Sequence, residues 1–305
     1  MRPACGIAPR YPVGLVAPSA SLARVRILVT GAAGFVGSHL LKRLETEHEI
    51  YPVVRRVPDD TREWVVQDLT QPLDRSKLPP RIDAVIHLAQ SPRYREFPEG
   101  ARDVYDVNVH STFELLEYAR TAGAQSFVLA STGGIYGYSY EALVETAPAN
   151  PLNFYLTSKH VAESLVANYE TLFRTIVLRF FFVYGPGQSG MLVPTLIEKV
   201  RKGDQISIAG RPGQRINPIH VSDAVAVFPP ALQLEQSDIF NVAGDEIVSI
   251  RELVGVIEEA TGEPAHVRHI DPEYEGDLIG DNSRMKKQLG VHPQTSLLEG
   301  IRSML

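Results

Sequence analysis

The chain has 305 residues, 44% hydrophobic and 22% charged, which suits one large or two small globular domains. A formal net charge of −6 gives no broad basic face and argues against a nucleic-acid partner. The single cysteine, Cys5, excludes an internal disulfide framework and a multi-cysteine metal site, and no apolar run is long enough to span a membrane as a helix. A reducing cytoplasm is the simplest compartment for such a chain.

Residues 1–23 carry no Asp or Glu, and Pro3, Pro9, Pro12 and Pro18 break any helix there. Their positive, Ser/Ala-containing character faintly suggests a transit peptide, but the prolines spoil an amphipathic helix, and a loose tail or an early start codon is the preferred reading. The organising stretch follows at 25–44. Residues 25–29 are a nearly continuous apolar run, predicted as a strand buried on both faces. Gly31, Gly34 and Gly37 come next in a GxxGxxG spacing, with Phe35 and Val36 inside the turn. Val36, Leu40, Leu41 and Leu44 then fall on one face of a helix. Strand, glycine turn and helix together predict nucleotide binding. Gly31 allows the tight turn, Gly34 lets backbone approach a pyrophosphate, Gly37 lets helix and strand pack, and the helix N-terminus holds the phosphate charge.

Strands and helices alternate after this, with no internal repeat, which predicts an α/β fold with a Rossmann-type doubly wound parallel sheet. Strands are predicted at 49–54, 64–66, 84–88, 126–130 and 175–178, with helices at 101–121 and 154–173. Beyond Tyr184 a loop, a helix at 192–201 and a strand at 205–208 suggest a smaller C-terminal α/β substrate-binding lobe. Segments 216–221 and 238–242 read as strands returning to the sheet. A helix starting at Ser222 is interrupted by Pro229-Pro230, and Ser249 is the N-cap of a helix at 250–260. The division is thus a cofactor-binding part at 24–183, joined by 216–243, and a lobe drawn mainly from 184–305. The site belongs at the carboxyl ends of the strands, between the two.

Three side-chain placements carry chemistry. Tyr155 and Lys159 sit four apart on one helix face. A phenol serves as a base near neutral pH only when its pKa is lowered, and a nearby ammonium does that. Ser131 and Thr132 end a buried strand before a glycine turn, presenting a hydroxyl at the sheet edge. Asn108 lies inside a predicted helix, where asparagine is a poor choice, and so predicts a specific hydrogen bond. His87 and His220 read as packed or hydrogen-bonded groups.

In chain order, TGAAGFVGSHL, DLT, HLAQ, NV, STGGIYG, YLTSK, LRFFFVYGPGQ, NPIHVSD and FNVAG resemble an extended short-chain dehydrogenase/reductase, of the NAD-dependent epimerase/dehydratase type that acts on nucleotide sugars. The resemblance runs from about residue 25 to the C-terminus. It implies a catalytic set of Thr132, Tyr155 and Lys159, with Asn108 in support. Lys159 also holds the nicotinamide ribose. Asp68 borders the adenine, or simply closes a turn, with Leu69, Leu88, Ala89 and Ser131 along the cofactor. Tyr155 as phenolate takes a proton from a sugar hydroxyl while the carbon's hydride passes to the nicotinamide, and Thr132 orients the same oxygen. An epimerase returns the hydride to the other face, whereas a ketoreductase runs the reverse half and exchanges its cofactor. The family also implies a homodimer through helices 101–121 and 154–173, where Val104, Val107, Val109, Phe113, Leu116 and Leu165 supply apolar surface.

Departures from the family pattern narrow the reading. Gly133 and Gly134 stand where dehydratases and decarboxylases carry acidic residues, which removes those two reactions. After the second strand the chain reads Val54-Arg55-Arg56 in place of the acidic residue of NAD users, which favours NADP over NAD. Phe182 replaces an Asn that touches the diphosphate region. Arg268 is the nearest candidate for the late diphosphate arginine, and Arg215 matches an arginine facing the nucleotide, with a surface ion pair as its alternative. Two rival functions stay open: reduction of a non-nucleotide carbonyl, and cofactor sensing without catalysis.

Overall fold

The computed structural model describes residues 24–210, 212–271 and 276–305. The predicted tail 1–23, with Cys5, lies outside the described residues. The first part of the chain runs β1 (Arg26–Thr30), α1 (Phe35–Leu44), β2 (Glu49–Val54), β3 (Val65–Val66) and β4 (Ala84–His87). Helices α2 (Ala101–Tyr105) and α3 (Ser111–Ala122) follow, joined through a π-helical stretch, Asp106–His110. Then come β5 (Ser126–Thr132), α4 (Phe154–Ala167) and β6 (Arg174–Phe180). The remainder is β7 (Val183–Tyr184), α5 (Leu192–Lys202), β8 (Gln205–Ala209), β9 (Arg215–Ile216), β10 (Ile219–His220), α6 (Val221–Val225) and α7 (Phe228–Gln233). It closes with β11 (Asp238–Val242), β12 (Val248–Ser249), α8 (Ile250–Thr261), β13 (His266–Ile270) and α9 (Leu297–Arg302).

Seven parallel strands form the central sheet in the order β11-β6-β5-β4-β1-β2-β3, the doubly wound α/β arrangement expected. Alternation along each strand feeds two apolar layers. Ile27, Val29, Ile86, Val128, Leu178 and Phe240 pack on the side of α1, α6 and α7. Leu28, Val85, Phe127, Leu129 and Val177 pack on the side of α3 and α4. A third cluster joins α5, β8, α8 and α9 through Val193, Leu196, Ile206, Ile208, Leu253, Ile257 and Ile301. Ser249 caps α8 in a capping box with Glu252.

Several elements differ from the sequence reading. Of the two segments expected to return to the sheet, only β11 does so, beside β6; β9 pairs antiparallel with β12, and β10 pairs with β7. Pro229-Pro230 do not break a helix but begin α7, where a missing N–H costs nothing. The helix at 154–173 stops at Ala167. β13, paired in parallel with β8, was not foreseen. β5 extends through Thr132, so Ser131 and Thr132 are themselves strand residues, in register with Arg179 and Phe180.

Candidate active site

The turn after β1 is built by what its glycines lack. Gly31 has φ +67°, and a β-carbon there would lie 2.7 Å from the Ala89 nitrogen in the loop after β4. At Gly37 it would fall 2.2 Å from the Gly31 carbonyl oxygen, so α1 closes onto the turn only as glycine. Gly34 is the N-cap of α1 and offers no side chain to the helix's first N–H groups, which leaves them for an anion.

This turn opens into a cavity of about 870 Å³. Its lining includes Gly31, Gly34, Phe35, Val36, Gly37, Arg55, Arg56, Asp68, Leu69, Leu88 and Ala89 from the loops after β1 to β4. Ser131, Thr132 and Tyr155 line it too, as do Phe180, Phe182, Val183, Met191, Leu192 and Leu278. The Ser131 hydroxyl is buried without a hydrogen-bond partner, a vacancy for a polar ligand group. Asp68 accepts from the Thr70 nitrogen and hydroxyl at 3.0 and 2.9 Å, so it closes a turn while also lining the cavity. Arg55 and Arg56 are exposed at the rim.

Tyr155 enters from the first turn of α4, whose N-cap Asn153 accepts from the Leu156 nitrogen at 2.9 Å. Its hydroxyl donates to Gln90 Oε1 at 2.9 Å, and its ring lies against Tyr94 with centroids 5.0 Å apart. Loss of solvation, and then the Tyr94 phenol, push the Tyr155 phenol above its ordinary value. The expected lowering by Lys159 is absent, because that ammonium donates to the Ala130 carbonyl at 2.5 Å. Lys159 is buried and does not line the cavity; burial lowers its pKa to about 8, against the opposing pull of Glu163. One turn beyond, Glu163 and Arg179 form a buried ion pair at 2.7 Å that fastens α4 to β6. The Thr132 hydroxyl accepts from the Gly134 nitrogen at 3.2 Å and remains open to the cavity.

Asn108 makes the specific bonds its position predicts, but outside the cavity lining. It accepts from the Ser91 nitrogen at 3.0 Å and donates to the Ser158 hydroxyl at 2.9 Å. It therefore ties the loop carrying Gln90 to the helix carrying Tyr155 and Lys159. Gly133 is also not a lining residue; a β-carbon there would sit 2.3 Å from the Phe181 ring. The two arginines expected at the substrate do not reach the cavity. Arg215 lies in an ion pair of 2.6 Å with the fully buried Asp277, and Arg268 sits exposed on β13. His87 is buried between the Thr30 and Thr112 hydroxyls, at 2.6 and 3.1 Å, and His220 caps α6. Gln90 and Tyr94 were not foreseen. The one signal was position, since HLAQ places Gln90 just past the C-terminal end of β4.

Among the described residues no helix is long and apolar enough to cross a membrane, and no cluster of His, Cys, Asp or Glu is arranged to hold a metal.

Comparison with known proteins agrees with this geometry. The model of the NAD dependent epimerase/dehydratase family matches residues 27–243. An uncharacterised UDP-glucose epimerase of Bacillus subtilis is 28% identical, over 91% of this chain and 96% of its own length. A dTDP-4-dehydro-6-deoxy-D-allose reductase of Streptomyces bikiniensis is 30% identical, over 88% and 91%. The crystal structure of the UDP-glucuronic acid 4-epimerase of Bacillus cereus, in complex with UDP-glucuronic acid and NAD, superposes with a TM-score of 0.82. It is 26% identical and matches 91% of this chain and 97% of its own. The glycine turn, the parallel sheet and these matches together place the chain in the NAD-dependent epimerase/dehydratase family of extended short-chain dehydrogenases/reductases.

Proposed function

We propose that the chain is an NAD(P)-dependent epimerase or 4-ketoreductase acting at a carbinol carbon of a nucleotide sugar. The observation that carries this is that the glycine turn and the Thr132 and Tyr155 hydroxyls open into one cavity. Relatives named as epimerases and as a reductase, and a neighbour solved with a UDP-sugar, support it. The glycine cradle and the unpartnered Ser131 hydroxyl fit a dinucleotide. Gly31, Gly34, Gly37 and the α1 N-terminus would hold its pyrophosphate, Asp68 and Leu69 its adenosine end, and Ser131 its nicotinamide ribose, joined by Lys159 once its ammonium leaves the Ala130 carbonyl. When bound, that group supplies a hydride acceptor and donor.

The protein's own part is to place one oxygen and move one proton. Tyr155 Oη gives or takes the proton of the reacting hydroxyl, for which it must exchange Gln90 for substrate. Thr132 Oγ1 orients the same oxygen, and Lys159 would lend its charge to the phenol only on turning from the Ala130 carbonyl that now holds its ammonium. Gly133 and Gly134 supply no acid for elimination, which separates this reading from a dehydratase.

The neighbour described above holds NAD, and the preference for NADP has only Arg55 and Arg56 behind it. Protein purified without added cofactor and then denatured tests both points. Retained, stoichiometric NAD supports an epimerase that recycles its hydride; an empty site that binds NADPH better than NADH supports a reductase.

One observation favours a second substrate class. Among the described residues, the charged side chains lining the cavity are Arg55, Arg56 and Asp68, on the loops after β2 and β3. A non-nucleotide carbonyl compound suits the remainder. If UDP, GDP and dTDP all fail to raise the melting temperature, that class is the correct one.

We also propose a homodimer. Tyr105 and Phe113 on α2 and α3, and Val161 on α4, expose 48%, 46% and 38% of their surface on neighbouring helices. Val104, Val107 and Leu116, by contrast, are consumed by the subunit's own core.

A further inference from the structure

His87 ends β4 in the interior of the molecule, and the chemistry given to Tyr155, Thr132 and Lys159 leaves it no part. Its neighbours fix where its ring proton sits. The Thr112 hydroxyl donates to the Asn108 carbonyl at 2.8 Å, which uses its only proton. The 3.1 Å bond between His87 Nε2 and Thr112 Oγ1 must therefore be donated by the ring. Burial, reinforced by Lys159, keeps the imidazole uncharged, with its pKa lowered to about 3. Nδ1 is then an acceptor and takes the Thr30 hydroxyl proton at 2.6 Å. Thr30 Oγ1 in turn accepts the Ala89 N–H at 3.3 Å. Four hydrogen bonds thus run in one direction, from the loop after β4 to the Asn108 carbonyl, with every hydroxyl and ring proton spent.

That carbonyl lies in the irregular turn between α2 and α3. Over Asp106–His110 the winding is π-helical, and the Ser111 N–H reaches back five residues to the Asp106 carbonyl. The Ser111 and Thr112 hydroxyls fold back onto the Val107 and Asn108 carbonyls at 2.6 and 2.8 Å, a contact that bends a helix. The widened turn presents the buried Asn108 side chain to two elements at once. It holds the Ser91 N–H and the Ser158 hydroxyl, and Ser158 donates to the Tyr155 carbonyl at 2.7 Å. The connected groups therefore start at Thr30, the residue before Gly31, and finish on the first turn of α4.

We propose that His87 is a positioning residue: together with Thr112 it fixes the π-helical turn that carries Asn108, and so sets Tyr155 and the Gln90 loop in register with the cofactor turn at Gly31. Register matters because proton and hydride leave the same carbinol, and a misplacement of about 1 Å costs about 10²-fold in rate. An apolar side chain at this position would leave the Thr30 and Thr112 hydroxyls without their shared partner. The proposal rests on Tyr155 being the acid/base.

The test uses Thr112→Val, which keeps the branched shape and removes the hydroxyl joining His87 to Asn108. Thr112→Ser returns that hydroxyl. Hydrogen exchange of the Ser91 amide, followed by NMR in the full chain, is expected to quicken about tenfold or more in Thr112→Val and to recover in Thr112→Ser. Val128 and Leu129 in the β5 core should keep their protection throughout. With UDP-glucose, kcat is expected to fall about tenfold or more in Thr112→Val, while KM and NAD affinity stay within about twofold. Thr112→Ser should recover most of the lost kcat. Ser91 protection that is unchanged in Thr112→Val, or lost equally with that of Val128 and Leu129, overturns the proposal. So does a kcat kept at the parent value. Should Thr112→Val fail to fold, His87→Gln and His87→Leu make the same comparison, since Gln offers Thr30 an acceptor and Thr112 a donor and Leu offers neither. If the parent binds NAD but does not turn over UDP-glucose, the Ser91 exchange decides the proposal by itself. Turnover surviving in Tyr155→Phe, with Ser91 exchange as in the parent, would strike the role of Tyr155 and not the placement of Asn108.

Discussion

The Tyr155 hydroxyl donates to Gln90 Oε1 at 2.9 Å, an acceptor that stabilises the phenol and not the phenolate. In this state the proton is held on the proposed acid/base. Tyr155→Phe should lower turnover by about 10²–10⁴-fold and leave NAD affinity and melting temperature nearly unchanged. Steady-state kinetics with UDP-sugars beside a calorimetric NAD titration will show this; near-normal turnover in the variant refutes the assignment.

Lys159 is charged inside the core at neutral pH against its burial, which draws its pKa down from 10.5 to about 8. Between those values the unfolded chain binds a proton that the folded chain releases, so stability from this group rises with pH across that window. Lys159→Met should therefore be more stable than the parent at pH 7, by up to about 3 kcal/mol. The advantage should shrink between about pH 8 and 10.5. Urea midpoints of both proteins across that range measure it, and a constant difference would contradict the burial argument.

His87 behaves in the opposite pH range. Its burial, reinforced by Lys159, holds the folded pKa at about 3 against the ordinary 6.5. From pH 6.5 downward the unfolded chain takes up a proton that the folded chain refuses, and stability falls until about pH 3. The full loss amounts to about 5 kcal/mol. His87→Gln keeps an amide between Thr30 and Thr112 and should flatten the acid side of the stability curve. Equal acid sensitivity of the two proteins would place the effect elsewhere.

Gly133 is a packing requirement before it is anything else. Gly133→Ala puts a methyl 2.3 Å from the Phe181 ring, which is walled in and cannot retreat. The expected cost is about 1–3 kcal/mol by denaturant titration. Phe181→Leu in the same chain should recover part of it; equal stability of Gly133→Ala and the parent would mean the ring moves freely.

On the helix pair, Phe113→Glu adds a charge to the proposed dimer face at a side chain already 46% exposed. The monomer fold should be unharmed, while sedimentation should show dissociation at micromolar concentration. A parent that is already monomeric ends the proposal.

Much of the scaffold could be read directly from the chain. Gly31 and Gly37 carry backbone requirements that no other residue meets, and Ser249 with Glu252 writes its own cap. What could not be read depends on partners distant in sequence. Arg215 meets Asp277 across 62 positions, and Tyr155 meets Gln90 across 65. β13 escaped notice because its side chains are half-buried or exposed, so no apolar alternation marks it. The helix from Ser222 does end early, at Val225, but Pro229-Pro230 open the next helix and do not break the first. The expected lowering of the Tyr155 phenol failed for a similar reason: four-residue spacing puts Lys159 on the same helix face, but the Ala130 carbonyl decides where its ammonium points.

The edge strand β11 has a consequence for how the chain is made. It pairs with β6, yet more than fifty residues of other structure are synthesised between the two. Until Val242 has left the ribosome, the outer edge of β6 presents unpaired N–H and C=O groups to anything nearby. A chain cut after Tyr184, although it contains the whole glycine turn, would keep that edge open for good. Such a fragment should aggregate or recruit chaperones where the full chain does not, so the half that carries the glycine turn should not behave as a separable module.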